Sequence, residues 1–148
     1  MESITKVLVQ EHGVFCAVFD QIERVFPQLT TTQEVKVLSS VVEGLLAGHA
    51  QTETELAYVA LDHVLAEKGK LQRLHQEHKE IDANYRKVAK AESLAEATHL
   101  LKEALKASRE HFKYEELEVF PLTERVLSED TLENFGEARV RGYSTATV

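Results

Sequence analysis

The sequence predicts an all-α fold, an up-down-up-down antiparallel four-helix bundle. Apolar residues recur at steps of three and four through four long stretches, the pattern of amphipathic helices. Only two prolines and six glycines interrupt the 148 residues. The links between the stretches are a few residues long, and short links make consecutive helices antiparallel neighbours. A chain of this length suits one domain around one core.

The first helix spans residues 3–26, with Leu8, His12, Phe15, Phe19, Ile22 and Phe26 on one face. Pro27 stops it, and Thr30-Thr31-Thr32 offers the next N-cap. The second helix runs over residues 32–67, with Val35, Leu38, Val42, Leu45, His49, Glu53, Leu56 and Ala60 inward. Gly44 and Gly48 thin its wall beside His49, leaving room for a close helix or a ligand. Lys68-Gly69 breaks the chain. The third helix covers residues 70–90, with Leu71, Leu74, His78, Ile81, Tyr85 and Val88 on one face. The fourth covers 93–127, opened by a Ser93/Glu96 capping box. It points Leu100, Ala104, Leu105, His111, Glu115 and Leu122 inward, and Pro121 should kink it or interrupt its hydrogen bonds. Residues 129–136 add a short helical turn, so the bundle is expected over residues 1–136. Residues 137–148 lack an apolar period and are expected to form a loosely ordered tail.

Composition narrows the function classes. The hydrophobic share of 43% and charged share of 28% are those of an ordinary globular protein. A net charge of -8 argues against nucleic acid as a partner, since phosphates attract basic surfaces. No apolar run is long enough to span a membrane. The start, Met1 to Lys6, lacks the basic stretch and apolar core of a secretory signal. The single cysteine, Cys16, excludes an internal disulfide. Together these favour a cytoplasmic protein.

The chemistry lies in one spacing that occurs twice, His49-Ala-Gln-Thr-Glu53 and His111-Phe-Lys-Tyr-Glu115. Residues four apart on a helix share a face, about 5–6 Å apart at Cβ. An imidazole and a carboxylate so placed can reach one metal ion, or the carboxylate can bridge two. His12 and His78 also face inward, so each helix aims a histidine at the axis. A lone histidine on an apolar stripe is commonly a hydrogen-bonded core residue. A buried carboxylate, in contrast, is costly unless paired or bound to metal. Metal ligation by His12, His49, Glu53, His78, His111 and Glu115 therefore stands against a bland alternative, a His–Glu ion pair on each helix.

The remaining candidates are secondary. His75 is either a fifth histidine ligand or a flanking surface residue. Glu118 lies near the His111 face as a substitute carboxylate or hydrogen-bond partner. His63 is about 21 Å beyond His49 along the helix, suiting a packing role at the bundle end. His99 is expected to be exposed, Cys16 to be a buried inert thiol, and Glu55 and Glu116 to lie on a solvated face. Tyr58, Tyr85 and Tyr114 are candidate donors around the site. Four or five imidazoles with two carboxylates suit iron, manganese or zinc. Zinc is content with four ligands, so a larger set points to two ions with bridging glutamates, and two iron ions fit best.

These residues resemble the hemerythrin-like, or HHE cation-binding, family over roughly residues 5–127. The matching pieces are Gln10-Glu11-His12, His49-x3-Glu53, Glu77-His78, and His111-x3-Glu115-Glu116 leading into Val119-Phe120-Pro121. The resemblance implies a four-helix bundle, with the six residues as ligands of two iron ions and Glu53 and Glu115 bridging them. An oxo or hydroxo bridge between the irons is expected. It implies dioxygen, nitric oxide or peroxide as ligand at an open iron position, or sensing or storage of iron. Oxygen-carrying hemerythrins have a His-x3-His pair on the third helix and a closing aspartate. Here His75 and His78 are spaced by three, and the last carboxylate is Glu115. Thr54 to Tyr58 replaces the second glutamate and Phe-Pro of many relatives.

Three functions follow as expectations. The first is a di-iron protein that binds or senses a small ligand, with Phe15, Phe19, Leu45 and Leu56 as the apolar lining. The second is a di-iron oxidoreductase that decomposes peroxide or oxidises ferrous iron, with Glu118 or a tyrosine as proton donor. The third is a metal-free helical interaction module.

Overall fold

The computed structural model describes residues 1–64 and 69–145, with side chains for residues 1–62 and 71–142. It is 91% helical, and no described residue lies in a strand. Helix α1 is Ile4–Val25, capped by the Ser3 side chain accepting from the Lys6 N–H. A 3-10 turn at Phe26–Gln28 carries Pro27. Helix α2 is Thr32–Thr52, opened by a reciprocal capping box between Thr31 and Glu34. It continues through a π-helical turn, Glu53–Tyr58, into α3, Val59–Val64. Helix α4 is Gly69–Ala89. Helix α5 is Leu94–Tyr114, with Ser93 accepting from the Glu96 N–H. A second π-helical turn, Glu115–Val119, leads into α6, Phe120–Val126, whose first turn holds Pro121. Helix α7 is Glu129–Thr145.

Four rods, α1, α2–α3, α4 and α5–α6, form the bundle. The core has two apolar clusters, one at each end. Phe19, Ile22 and Phe26 from the end of α1 meet Val35 and Val42 from the start of α2, Tyr85 and Val88 from the end of α4, and Leu101 and Leu105 from the first half of α5. Ile4 and Leu8 from the start of α1 meet Tyr58, Leu61, Leu71, Leu74, Val119 and Phe120. Starts therefore pack on ends, as an up-down-up-down order requires. The layer between the clusters is polar and holds the site. Among the described residues, no helix is long and apolar enough to cross a membrane.

The structure corrects the expected loose ordering over residues 137–145, and residues 146–148 lie outside the described residues. Residues 137–145 belong to α7, and α7 packs on α1. Its inward positions are Leu132, half-buried Phe135, Gly136 and Arg139, which fall at helical steps. The last two are not apolar, so a hydrophobic period cannot reveal them. Gly136 is required by close approach, because a Cβ there would lie 2.1 Å from the Glu2 carbonyl oxygen.

The inner stripe of α2 also differs. The buried positions are Val35, Ser39, Val42, Leu46, His49 and Thr52, while Leu45 is exposed. Gly44 and Gly48 face outward, with nothing near their missing Cβ atoms. They do not thin the wall beside His49. Beyond each site glutamate the π turn moves the buried face round by an extra residue. Ala57, Tyr58 and Leu61 are buried where Leu56 and Ala60 were expected, and Thr123 where Leu122 was expected. The side chain of His63 lies outside the described residues.

Candidate metal centre

Both site carboxylates stand at the first residue of a π-helical turn. The turns are closed by i→i+5 bonds, from the Val59 N–H to the Thr54 oxygen and from the Phe120 N–H to the Glu115 oxygen. Such bulges are rare and recur at functional sites. Here they bring the fifth residue after each glutamate back over the site. Those residues are Tyr58 and Phe120.

His12, His49, Glu53 and Glu115 form one group able to hold a metal ion, and Glu53, His78, His111 and Glu115 form a second. The ligand atoms within each lie within 4.8 Å of one another. The two groups share both glutamates. His49 Nε2 is 2.9 Å from Glu53 Oε1, and His111 Nε2 is 2.7 Å from Glu115 Oε1. His12 Nε2 is 3.2 Å from Glu115 Oε2, and His78 Nε2 is 3.3 Å from Glu53 Oε2. Both carboxylates are fully buried. Yet Glu53 Oε1, Glu115 Oε2 and His111 Nε2 have no hydrogen-bond partner despite these approaches. Buried polar atoms are ordinarily satisfied. Three orphaned atoms converging on shared carboxylates fit metal binding, and the donor set of nitrogen and oxygen suits a metal such as iron.

Three of the histidines are oriented from behind. His12 Nδ1 donates to Glu116 at 2.9 Å, His49 Nδ1 to Glu11 at 2.5 Å and His111 Nδ1 to Glu77 at 2.7 Å. A carboxylate behind a metal-binding histidine fixes its ring and tautomer, leaving Nε2 as the donor atom. Glu11 is in turn held by Arg139, whose Nη1 also donates to Thr52 Oγ1 at 2.5 Å. Glu77 is held by Arg73, which lies 3.9 Å over the Tyr114 ring. The Tyr58 hydroxyl donates to Glu115 and stands 3.5 Å from Glu53 Oε2.

Charge in this layer is strongly coupled. Burial disfavours the His12 imidazolium, but the Glu115 and Glu53 carboxylates outweigh it and raise the pKa to about 10. The same opposition raises His78 to about 9. His49 and His111 are raised too, against burial, by Glu53 with Glu11 and by Glu115 with Glu77. Burial opposes the Glu115 charge, but His111, His12 and His78 hold its pKa well below the ordinary value. Burial next to two carboxylates pushes the Tyr58 phenol up.

A cavity of about 30 Å³ opens on this layer, lined by Leu46, Ala50, Ile81 and Phe112 with His49, Glu53, His78 and His111. A water needs about 10–15 Å³, so the space admits only a very small molecule. Of the apolar lining expected from sequence, Phe15 lies edge-on to His49 at 5.1 Å, and Phe19 stacks on Phe112. Leu45 is exposed and Leu56 packs in the other cluster.

The structure thus brings together all six principal candidates. It does not bring His75 to them, since that ring lies edge-on to Tyr58 at 5.7 Å. Glu118 is exposed on a surface groove with Arg73 and Tyr114, because the π turn gives the inward position to Val119. Glu116 is not merely solvated, since it holds His12. Glu55 and His99 are exposed as expected. Cys16 is half-buried, and burial pushes its thiol up. Glu11, Glu77, Glu116 and Arg139 were missed as supports of the site. Glu11 and Glu77 each sit one residue before a site histidine, which is the only signal they carry in sequence.

The family model of the hemerythrin HHE cation binding domain matches residues 3–123. No curated protein and no solved structure matches the chain. The matched span contains all six converging side chains and both π turns, and it takes in the four rods up to Thr123 within α6; α7 follows it. By this match and this geometry, the chain belongs to the hemerythrin HHE cation-binding domain family.

Proposed function

We propose that this protein is a non-heme di-iron protein with an open iron position that binds or senses a small ligand, namely dioxygen, nitric oxide or iron itself. The observation that carries the reading is the sharing of Glu53 and Glu115 by two groups of donors. One group alone would suit a single ion; two groups with common carboxylates suit a bridged pair. His12 and His49 would hold one ion, and His78 and His111 the other. The family generally binds iron. Four protein donors per ion leave an octahedral metal short of its full set. When bound, the iron pair supplies redox and Lewis-acid reactivity. The chain supplies the rest. Glu11, Glu77 and Glu116 orient the imidazoles, Leu46, Ile81 and Phe112 limit water, and Tyr58 holds a proton at the two shared carboxylates.

Tyr58 also favours a second reading, a di-iron oxidoreductase that decomposes peroxide or oxidises ferrous iron. Its buried hydroxyl is the donor placed at both glutamates. Stopped-flow spectra of the ferrous protein with dioxygen or nitric oxide, and oxygen evolution from peroxide, separate the two. Tight ligand binding with no turnover supports the first. Sustained turnover that falls in Tyr58→Phe supports the second.

A further inference from the structure

Helix α7 follows the span that defines the family, yet it reaches the metal centre. Leu132 packs with Ile4 and Leu8, and Gly136 lies against the backbone of Glu2 and Ser3. One turn further along the same face, Arg139 forks onto Glu11, with Nε 2.8 Å from Oε1 and Nη2 3.3 Å from Oε2. Its Nη1 reaches Thr52, the residue before Glu53. Glu11 in turn takes the His49 Nδ1 proton at 2.5 Å. The Arg139 and Glu11 side chains are only 18% and 11% exposed, so water does not replace this clamp.

The other half of the centre is built differently. Glu77, behind His111, is held by Arg73 from the same helix, one turn away, and Arg73 is 60% exposed. That support is local to α4. The support of His49 comes instead from the far end of the chain.

We propose that Arg139 is a positioning residue for the His12–His49 half-site, so that metal there and the docking of α7 stabilise each other. This rests on the di-iron reading above. The fork of Arg139 fixes both oxygens of Glu11, and Glu11 fixes the His49 ring with Nε2 turned toward Glu53. An undocked α7 frees Glu11 and leaves the ring to rotate about its Cβ. Coupling between two sites is reciprocal, so an ion that needs the fixed ring also favours the docked helix. The metal state of one half-site is thereby communicated to a surface helix, whereas the Arg73–Glu77 support of the other half-site lies within α4.

The test is an anaerobic titration of the metal-free protein with ferrous iron against a competing chelator. It compares the wild type with Arg139→Gln, Glu11→Gln, the double variant and Arg73→Gln. Loss of a support behind a ligand histidine typically weakens metal binding by about 10–100-fold. Arg139→Gln should weaken one of the two ions by that order and spare the other. Arg73→Gln, whose clamp is exposed, should not weaken that same ion. If Arg139 acts through Glu11, the double variant binds no worse than Glu11→Gln alone. A merely structural role would make the losses add. Hydrogen exchange of the α7 amides should slow on iron loading in the wild type and not in Arg139→Gln. Both ions held by Arg139→Gln as in the wild type, or α7 exchange indifferent to iron, would overturn the proposal. If Arg139→Gln does not fold, Glu11→Gln decides, since an unchanged pair of affinities there overturns it equally. A wild type that takes up no iron removes the di-iron reading itself, and this coupling with it.

Discussion

His12 and His49 turn their Nε2 atoms toward each other at 2.9 Å. Each ring has its Nδ1 against a carboxylate, Glu116 for His12 and Glu11 for His49. That contact calls for the proton on Nδ1, which leaves a lone pair on each Nε2 of the neutral rings. Two lone pairs at this distance repel unless a cation lies with them. In the metal-free protein that cation is a proton; in the proposed loaded protein a metal ion would take its place.

Metal loading should therefore release protons. His12 and His78, with pKa values of about 10 and about 9, are charged at neutral pH in the metal-free chain. Ligation takes the neutral imidazole. Apparent affinity for ferrous or zinc ions should rise with pH from 7 toward 9, with protons appearing in a weakly buffered titration. An affinity flat over that range would contradict the pairing.

The stability of the metal-free chain should peak in mildly acidic solution. His12 is raised above its ordinary 6.5, so its contribution is full below 6.5 and is lost as pH rises through about 10. Glu115 and Glu53 lie below their ordinary 4.5, so their contribution is present above 4.5 and is lost as pH falls. Thermal unfolding across pH should show both flanks. A midpoint that climbs steadily from pH 6.5 to 10 would be inconsistent with this layer.

Tyr58→Phe removes the donor that Glu115 shares with Glu53. A buried acceptor that loses its donor costs about 1–3 kcal/mol. The metal-free variant should melt several degrees lower, roughly 4–8 °C per kcal/mol for smaller domains and less for one of this size. Iron stoichiometry should not change, because Tyr58 is not among the converging donors. Loss of an ion in this variant would place the phenol among the ligands.

Gly136→Ala should undock α7. The added Cβ meets the Glu2 oxygen at 2.1 Å, and backbone on both sides leaves little to give. Overpacking of this kind costs about 1–3 kcal/mol. Limited proteolysis should then cut within α7 before the bundle. Resistance equal to wild type would show that the two backbones can part freely.

The helices were legible because their apolar faces repeat. Leu8 to Phe26 and Leu71 to Val88 are read correctly residue by residue, since each face is uninterrupted. The six site residues were legible because histidine and glutamate are out of place on such faces. Periodicity fails where the helix itself changes. Past Glu53 and Glu115 the π turn shifts the register, so an unbroken period puts Leu56 and Leu122 inward and Glu118 near the His111 face, and gives Tyr58 no deciding signal. Periodicity assumes 3.6 residues per turn and has no sign for a π turn. Arg139 was hidden for a different reason. Its partner Glu11 is 128 positions away, and an ion pair leaves no periodic trace.

Metal content per chain reads out the proposed pair of ions on shared glutamates. The protein, freed of metal and reloaded anaerobically with ferrous iron, should hold about two ions per chain. Air should then bring near-ultraviolet charge-transfer absorption, and Glu115→Gln should hold fewer ions while remaining helical. No uptake by the wild type, or uptake indifferent to both His49→Ala and Glu115→Gln, would rule out the metal pair and leave the six side chains as a buried polar network.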